Sequence, residues 1–119
     1  MDWFIDRDRP ICPQICEQLC LRIANGAFAP HEKLLSVREI AVAAGVNPNT
    51  VQRSLDELES KDILYSVRGS GWFVGEDTSL ARDILKDILA RKTADYFESM
   101  HHLGMDSDAV KQYVKEWKT

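Results

Sequence analysis

Residues 36–60 carry more local punctuation than any other part of this chain. Ser36 is a good N-cap, and Glu39 three residues later completes a capping box, in which each side chain satisfies the other residue's orphan amide. Gly45 is a natural helix stop. Asn47 then caps a second helix, with Pro48 pre-set at its first position. The spacing predicts one helix over 37–44 that buries Val37, Ile40, Ala41 and Ala44. It predicts another from Pro48 to about Ser60 that buries Val51, Leu55 and Leu58. Val46 falls in the turn, pointing inward between the two. Asn49, Thr50, Gln52 and Arg53 face outward at the start of the second helix and have no core duty. Two short helices joined by a tight glycine turn are the layout of a helix-turn-helix.

The flanks read as support. Upstream, Ile11, Ile15, Leu19 and Ile23 recur every four residues, and Pro10 and Pro13 fall in a first turn where a missing N–H costs nothing. A helix over about 10–25, stopped by Gly26, follows. Phe28 to Lys33 reads as a loop anchored by Phe28. Downstream, 63–67, the turn Arg68-Gly69-Ser70-Gly71 and 72–74 read as strand, glycine turn and strand. A hairpin directly after a helix-turn-helix is a wing. Gly75 ends this winged domain, 1–75. The tail, 76–119, reads as a long helix from Asp77-Thr78-Ser79 to about Leu103 and a last helix after Gly104. Met105 and Val110 are placed there to form a staple. The expected fold is mainly α with a small β-hairpin: a winged helix-turn-helix followed by a two-helix tail.

Composition narrows the function classes. With 45% apolar residues the chain can fill a core. Its longest apolar run, Ile40 to Val46, is far short of the roughly 20 residues of a membrane span. No secretory signal is visible at the start, so a cytoplasmic protein with no membrane partner is expected. Net charge is −4; residues 1–75 hold 8 basic against 10 acidic groups and residues 76–119 hold 7 against 9, a net −2 in each half. Binding to DNA would therefore need a local positive patch. No carboxylate sits beside a nucleophile or base in a recognisable arrangement, and no P-loop, dinucleotide fingerprint or H-E-x-x-H occurs. An enzyme is not expected, nor a cofactor.

Three motifs in order, S-V-R-E (36–39), N-P-N-T-V-Q-R (47–53) and R-G-S-G-W-F-V (68–74), carry a resemblance. The stretch LLSVREIAVAAGVNPNTVQRSLDELESKDILYSVRGSGWFV, extended back through PICPQICEQLCLRIANGAF, resembles the winged helix-turn-helix domain of GntR-family bacterial transcription regulators over about residues 3–75. The short tail is similar to that of the YtrA-like subfamily, whose tails are dimerisation elements with no dedicated effector domain. Three positions depart from the family pattern: Leu35 where proline is usual, Cys12 where an aromatic is typical, and Pro13. They touch the approach to the second helix and one face of the first.

The resemblance implies a regulator, commonly a repressor, that binds an operator in double-stranded DNA as a homodimer. Arg38, with Ser36 in the same motif, matches the family's DNA-contacting arginine; a helix N-terminus there can offer amides and a guanidinium to a phosphate or groove. Asn49, Thr50 and Arg53 match the recognition helix. Asparagine can address adenine, arginine guanine, and a threonine methyl thymine, while Thr50 and Gln52 can equally bond phosphate. Asn47 joins this set although its capping duty alone explains it. Arg68, Gly69, Ser70 and Gly71 match the wing tip, and Lys33 is a candidate phosphate contact. Each of these residue types is also an ordinary solvated side chain, so the motif context carries the assignment. In the tail, Leu80, Ile84, Leu85, Ile88, Leu89, Tyr96 and Phe97 form the face expected to dimerise. At 119 − 75 = 44 residues, the tail is close to the roughly 40-residue limit for folding alone. A small-molecule effector would have to bind at the dimer interface or between tail and winged domain.

Cys12, Cys16 and Cys20 share one helical face. Their Cβ atoms, about 5–6 Å apart, are beyond disulfide range. Buried small hydrophobes are the favoured reading, with a metal site or thiol sensor as the alternative. His101 and His102 face apart on a helix, which suits solvated or interface histidines better than paired ligands. A further alternative, motivated by the acidic balance, is a winged-helix protein-interaction module without DNA binding.

Overall fold

The computed structural model describes residues 2–118. The elements are α1 (Ile11–Ala24), α2 (Val37–Ala44), α3 (Pro48–Ser60), β1 (Leu64–Val67), β2 (Gly71–Val74), α4 (Ser79–His102) and α5 (Ser107–Glu116). The mainly helical chain with one antiparallel hairpin is the architecture expected. It divides into two compact units, the first ending at Leu85 and the second starting at Lys86.

The core of the first unit is where the isoleucine row of α1 meets the buried stripe of α3. Ile15, Ile40, Val51, Leu55 and Val74 have no solvent exposure, and Leu19, Ile23, Leu58, Ile63 and Leu64 are buried around them. Each such side chain contributes roughly 1.5–3 kcal/mol on leaving water. Ala81, at 1% exposure, and Ile84 also pack on this core, so the start of α4 belongs to the first unit.

Two glycines are needed for backbone reasons. Gly45 closes α2 at φ 67°, in the left-handed region. Gly75 donates to Ile63 O at 2.8 Å, and a Cβ there would stand 2.6 Å from the carbonyl oxygen of Asp62. In the hairpin, Leu64 pairs with Val74 and Val67 with Gly71.

Three features differ from the sequence reading or go beyond it. The stretch expected to be a loop up to Lys33 instead ends as a third edge on β2. His31 N donates to Val74 O, Val74 N to Glu32 O and Leu34 N to Trp72 O, and Lys33 bridges Phe73. The pairing needs a φ of 66° at His31, a turn with no glycine to announce it. The cysteines are only partly core: Cys20 is 1% exposed, whereas Cys12 and Cys16 are half-buried. Lastly, residues 2–9 run along α1, held by polar side chains spaced four apart. Gln14 accepts from Asp6 N (2.7 Å) and donates to Asp6 O (2.9 Å). Gln18 accepts from Phe4 N (3.1 Å). Arg22, 5% exposed, donates to Asp2 O (2.9 Å) and lies 3.9 Å over the Trp3 ring. Arg7 of this arm reaches the α2–α3 turn and donates to Gly45 O at 2.8 Å and Ala44 O at 3.3 Å.

In the second unit, Asp106 caps α5 by accepting from Ala109 N at 2.8 Å. Val110 has no exposure and Ile88 6%, and Met105 is half-buried. Among the described residues no helix is long and apolar enough to cross a membrane.

Arg22→Ala should lower the free energy of unfolding by about 1–3 kcal/mol, since it removes a cation–π contact and buried charged hydrogen bonds together. Urea denaturation checks this; an unchanged midpoint would show that the arm adds nothing to stability.

Candidate nucleic-acid interface

The capping box foreseen at α2 is fully formed. Ser36 Oγ accepts from Glu39 N at 3.1 Å, and Glu39 Oε1 accepts from Ser36 N at 3.0 Å. These bonds from the Ser36 amide and hydroxyl, with Lys33 nearby, hold the Glu39 carboxyl below its ordinary pKa. With Glu39 spent on the cap, Arg38 projects into solvent from the first turn of the helix. An arginine there sits beside the positive end of the helix dipole, an arrangement that favours an anion.

At the start of α3, Asn47 Oδ1 accepts from Asn49 N at 2.8 Å, so its oxygen is committed to the cap. Asn49, Gln52 and Arg53 are exposed and Thr50 is half-buried. Arg53 Nη2 lies 3.5 Å from Thr50 Oγ1, and Gln52 Nε2 donates to Asp56 Oδ1 at 3.0 Å. Gln52 would therefore exchange an intrahelical partner to reach a ligand, whereas Asn49 and Arg53 have little to give up.

The wing is a tight loop. Ser70 N donates to Val67 O at 2.9 Å, and Gly69 and Gly71 take φ of 80° and 119°. Its base is fixed to α3, because Glu59 Oε2 accepts from both Ser66 N (3.1 Å) and Ser66 Oγ (2.7 Å). Tyr65 stacks on its cross-strand partner Phe73 at 5.5 Å and meets His31 Nδ1 at 3.0 Å. Lys33 lies across the wing: its Cε would be 3.4 Å from a Cβ at Gly71. The sequence offered Lys33 as a loop lysine and a candidate phosphate contact. Strand pairing puts it beside the wing, and that long-range bridge has no local signature.

Among the described residues no ion pair holds Arg38, Arg53 or Arg68. One unit thus presents unpaired guanidiniums from α2, α3 and the wing, together with two helix N-termini. The arrangement answers the net negative charge by placement. Arg7, also exposed, is spent on the carbonyls that end α2 and is not part of this set.

Away from that surface, Cys12 Sγ, Cys16 Sγ and a Glu57 carboxylate oxygen lie within 4.8 Å of one another. Burial pushes the Cys16 thiol up to about 12, aided by Cys12 and Glu57, and the Cys20 thiol to about 11. At neutral pH both are thiols, not the thiolates a redox sensor uses.

Comparison with known proteins agrees with this geometry. The family model described as "Bacterial regulatory proteins, gntR family" matches residues 13–74. The chain is 36% identical over 116 residues to the HTH-type transcriptional regulator YhcF of Bacillus subtilis, covering 97% of this chain and 95% of that one. It is 32% identical over 112 residues to the HTH-type transcriptional repressor YtrA of the same organism, covering 90% and 83%. Among solved structures, a GntR family transcriptional regulator from Listeria monocytogenes superposes with a TM-score of 0.80 at 35% identity, covering 96% of this chain and 100% of that one. The DNA-binding domain of AraR in complex with an operator gives 0.54 at 28% identity, covering 60% and 87%.

Ser36→Ala should destabilise the first unit by about 1 kcal/mol near neutral pH through loss of the N-cap. The pKa of Glu39 is lower in the folded than in the unfolded chain. The stability it carries is therefore present above the unfolded value and lost as pH falls through the folded one. The gap in melting temperature between wild type and Ser36→Ala should thus narrow in acid; a gap independent of pH would show that Glu39 takes no part in the cap.

Proposed function

The chain belongs to the gntR family of bacterial regulatory proteins, and from that membership we propose that it is a cytoplasmic transcription repressor that binds a two-fold operator as a homodimer. The observation that carries the DNA reading is the set of unpaired groups on α2, α3 and the wing. In this reading α3 enters the major groove, where Asn49 and Arg53 meet base edges and Thr50 and Gln52 meet bases or phosphates. Arg38 and the amides behind Ser36 take a phosphate, with Asn47 at the mouth of the recognition helix. Arg68 and the Gly69-Ser70-Gly71 loop follow the minor groove, and Lys33 meets the phosphate beside the wing. Repression follows when the occupied operator overlaps a promoter.

The homodimer is supported by what the second unit leaves uncovered. Leu89 (56%), Leu103 (76%), Val114 (50%) and Trp117 (61%) are exposed to a degree that isolated surface residues seldom reach together. With Tyr96, Phe97 and Tyr113 they line a groove of about 950 Å³ between α4 and α5. A second copy laid on this face would cover Leu89, Tyr96 and Phe97. Of the other residues expected on this face, Leu80 (40% exposed), Ile84 and Leu85 lie in the first unit, where Ile84 packs on the core, and Ile88 is buried in the second. Two-fold pairing sets two recognition helices about 34 Å apart, in successive major grooves. A small apolar effector would find its place in the same aromatic-walled groove.

Arg53→Ala should weaken operator binding by about 1–3 kcal/mol and relax preference at one base position. Arg38→Ala should weaken operator and random DNA alike and give a shallower salt slope. Fluorescence anisotropy on the promoter upstream of the chain's own gene measures both. A flat titration of wild type at low salt would overturn the DNA reading in favour of a protein-interaction module.

Trp117→Asp should shift the protein to monomer in sedimentation and reduce affinity for a full palindrome by about 100-fold, since linkage of the two half-sites is lost. A variant that remains dimeric would move the interface elsewhere.

A further inference from the structure

Where α1 crosses α3, one buried polar spot stands out. There Ser54, with no solvent exposure, places its hydroxyl 3.0 Å from Thr50 O, 3.1 Å from Cys12 O and 3.2 Å from Cys12 Sγ. Cys16 Sγ lies 3.5 Å from Ser54 O and 3.9 Å from Glu57 Oε2. Two sulfurs from α1 and one carboxylate oxygen from α3 thus converge within 4.8 Å of one another. We propose that Cys12, Cys16 and Glu57 form a binding site for a single thiophilic divalent cation of the zinc class, which ties α1 to α3.

The donor set selects the ion. Zinc takes sulfur at about 2.3 Å and carboxylate oxygen at about 2.0–2.2 Å in a tetrahedron, so the three atoms need to draw together by only about 1 Å through side-chain rotation. Two thiols disfavour magnesium and calcium, which demand oxygen ligands. A disulfide is not the alternative product, because cysteines four apart on a helix hold their Cβ atoms about 5–6 Å apart. Each thiol releases its proton to solvent as its sulfur takes the ion, so two protons leave per ion bound. The two thiolates and Glu57 then bring three negative charges against two positive ones. Lys61, whose Nζ lies 3.5 Å from Glu57 Oε1, offsets the remainder and leaves Oε2 for the ion.

Access and support are also in place. Cys16 and Glu57 line a cavity of about 220 Å³ with Pro13, Cys20 and Lys61, which admits the ion and a water to the fourth position. The Ser54 hydroxyl is set to donate to the Cys12 sulfur once it is a thiolate, the outer contact that orients a metal ligand.

The test uses the full chain, reduced and stripped of metal, with cadmium as a spectroscopic substitute for zinc. Sulfur-to-cadmium charge-transfer absorption should rise to saturation at one ion per chain and be displaced by added zinc. Cys12→Ser and Cys16→Ser should each lower the affinity roughly tenfold or more and weaken the band. Glu57→Gln, an exposed change that leaves the core untouched, should also weaken binding roughly tenfold or more while the far-ultraviolet circular dichroism stays as in wild type. Cys20→Ala should keep both band and affinity. A wild-type protein without the band overturns the proposal. So does a Glu57→Gln or Cys12→Ser protein that binds like wild type, because the ion would then lie elsewhere.

Discussion

Val51, Leu55 and Leu58, none more than 1% exposed, pin α3 to the rest of the first unit. The polar face of that helix, including Asn49 and Arg53, is positioned only because the opposite face has nowhere else to go. At roughly 1.5–3 kcal/mol for each buried side chain, this stripe outweighs any single cap or ion pair in the domain. The wing depends on it as well, since Glu59 on α3 holds the β1 backbone at Ser66. Helix α3 and the wing are therefore one rigid presentation, and the exposed groups on both inherit their spacing from a hydrophobic contact.

The polar interactions act as punctuation on that core. The Ser36–Glu39 box, the Asn47 cap and the Arg7 bonds to Ala44 O and Gly45 O all satisfy backbone groups that two short helices meeting at a sharp turn leave orphaned. They explain how α2, only eight residues long, ends and restarts cleanly. They also explain the economy of charge. Glu39 and Arg7 are consumed by the frame, and Arg38, Arg53 and Arg68 are left without an ion pair among the described residues.

The helices, their caps and the hairpin were legible because each is encoded within a few residues: a serine three before a glutamate, a glycine after an apolar row, Arg-Gly-Ser-Gly between alternating strands. The exposed polar start of α3 and the glycine turn of the wing followed from the same local signals. What escaped is held together across distance. Nothing in Glu32-Lys33-Leu34 marks it as a partner of β2, because its pairing depends on a positive φ at a histidine. Nothing in the spacing of Gln14, Gln18 and Arg22 announces that they lie buried or half-buried under residues 2–9. Nor does the local sequence show that Ser54 is wholly buried, with its hydroxyl meeting α1 backbone and sulfur.

Gln14 and Gln18 form a track that grips Asp6 and Phe4 by their peptide groups, while Trp3, under Arg22, and Ile5 are held by their side chains. The two glutamines each engage the N–H and C=O of a single residue, Asp6 or Phe4, much as a neighbouring strand would. Such a track reads shape, not spelling. Phe4, 78% exposed while its backbone is doubly held, shows how little the track asks of the side chain it carries. Position 4 can therefore change its side chain and still follow the same route, whereas Trp3, Ile5 and Arg7 fix that route by their own contacts.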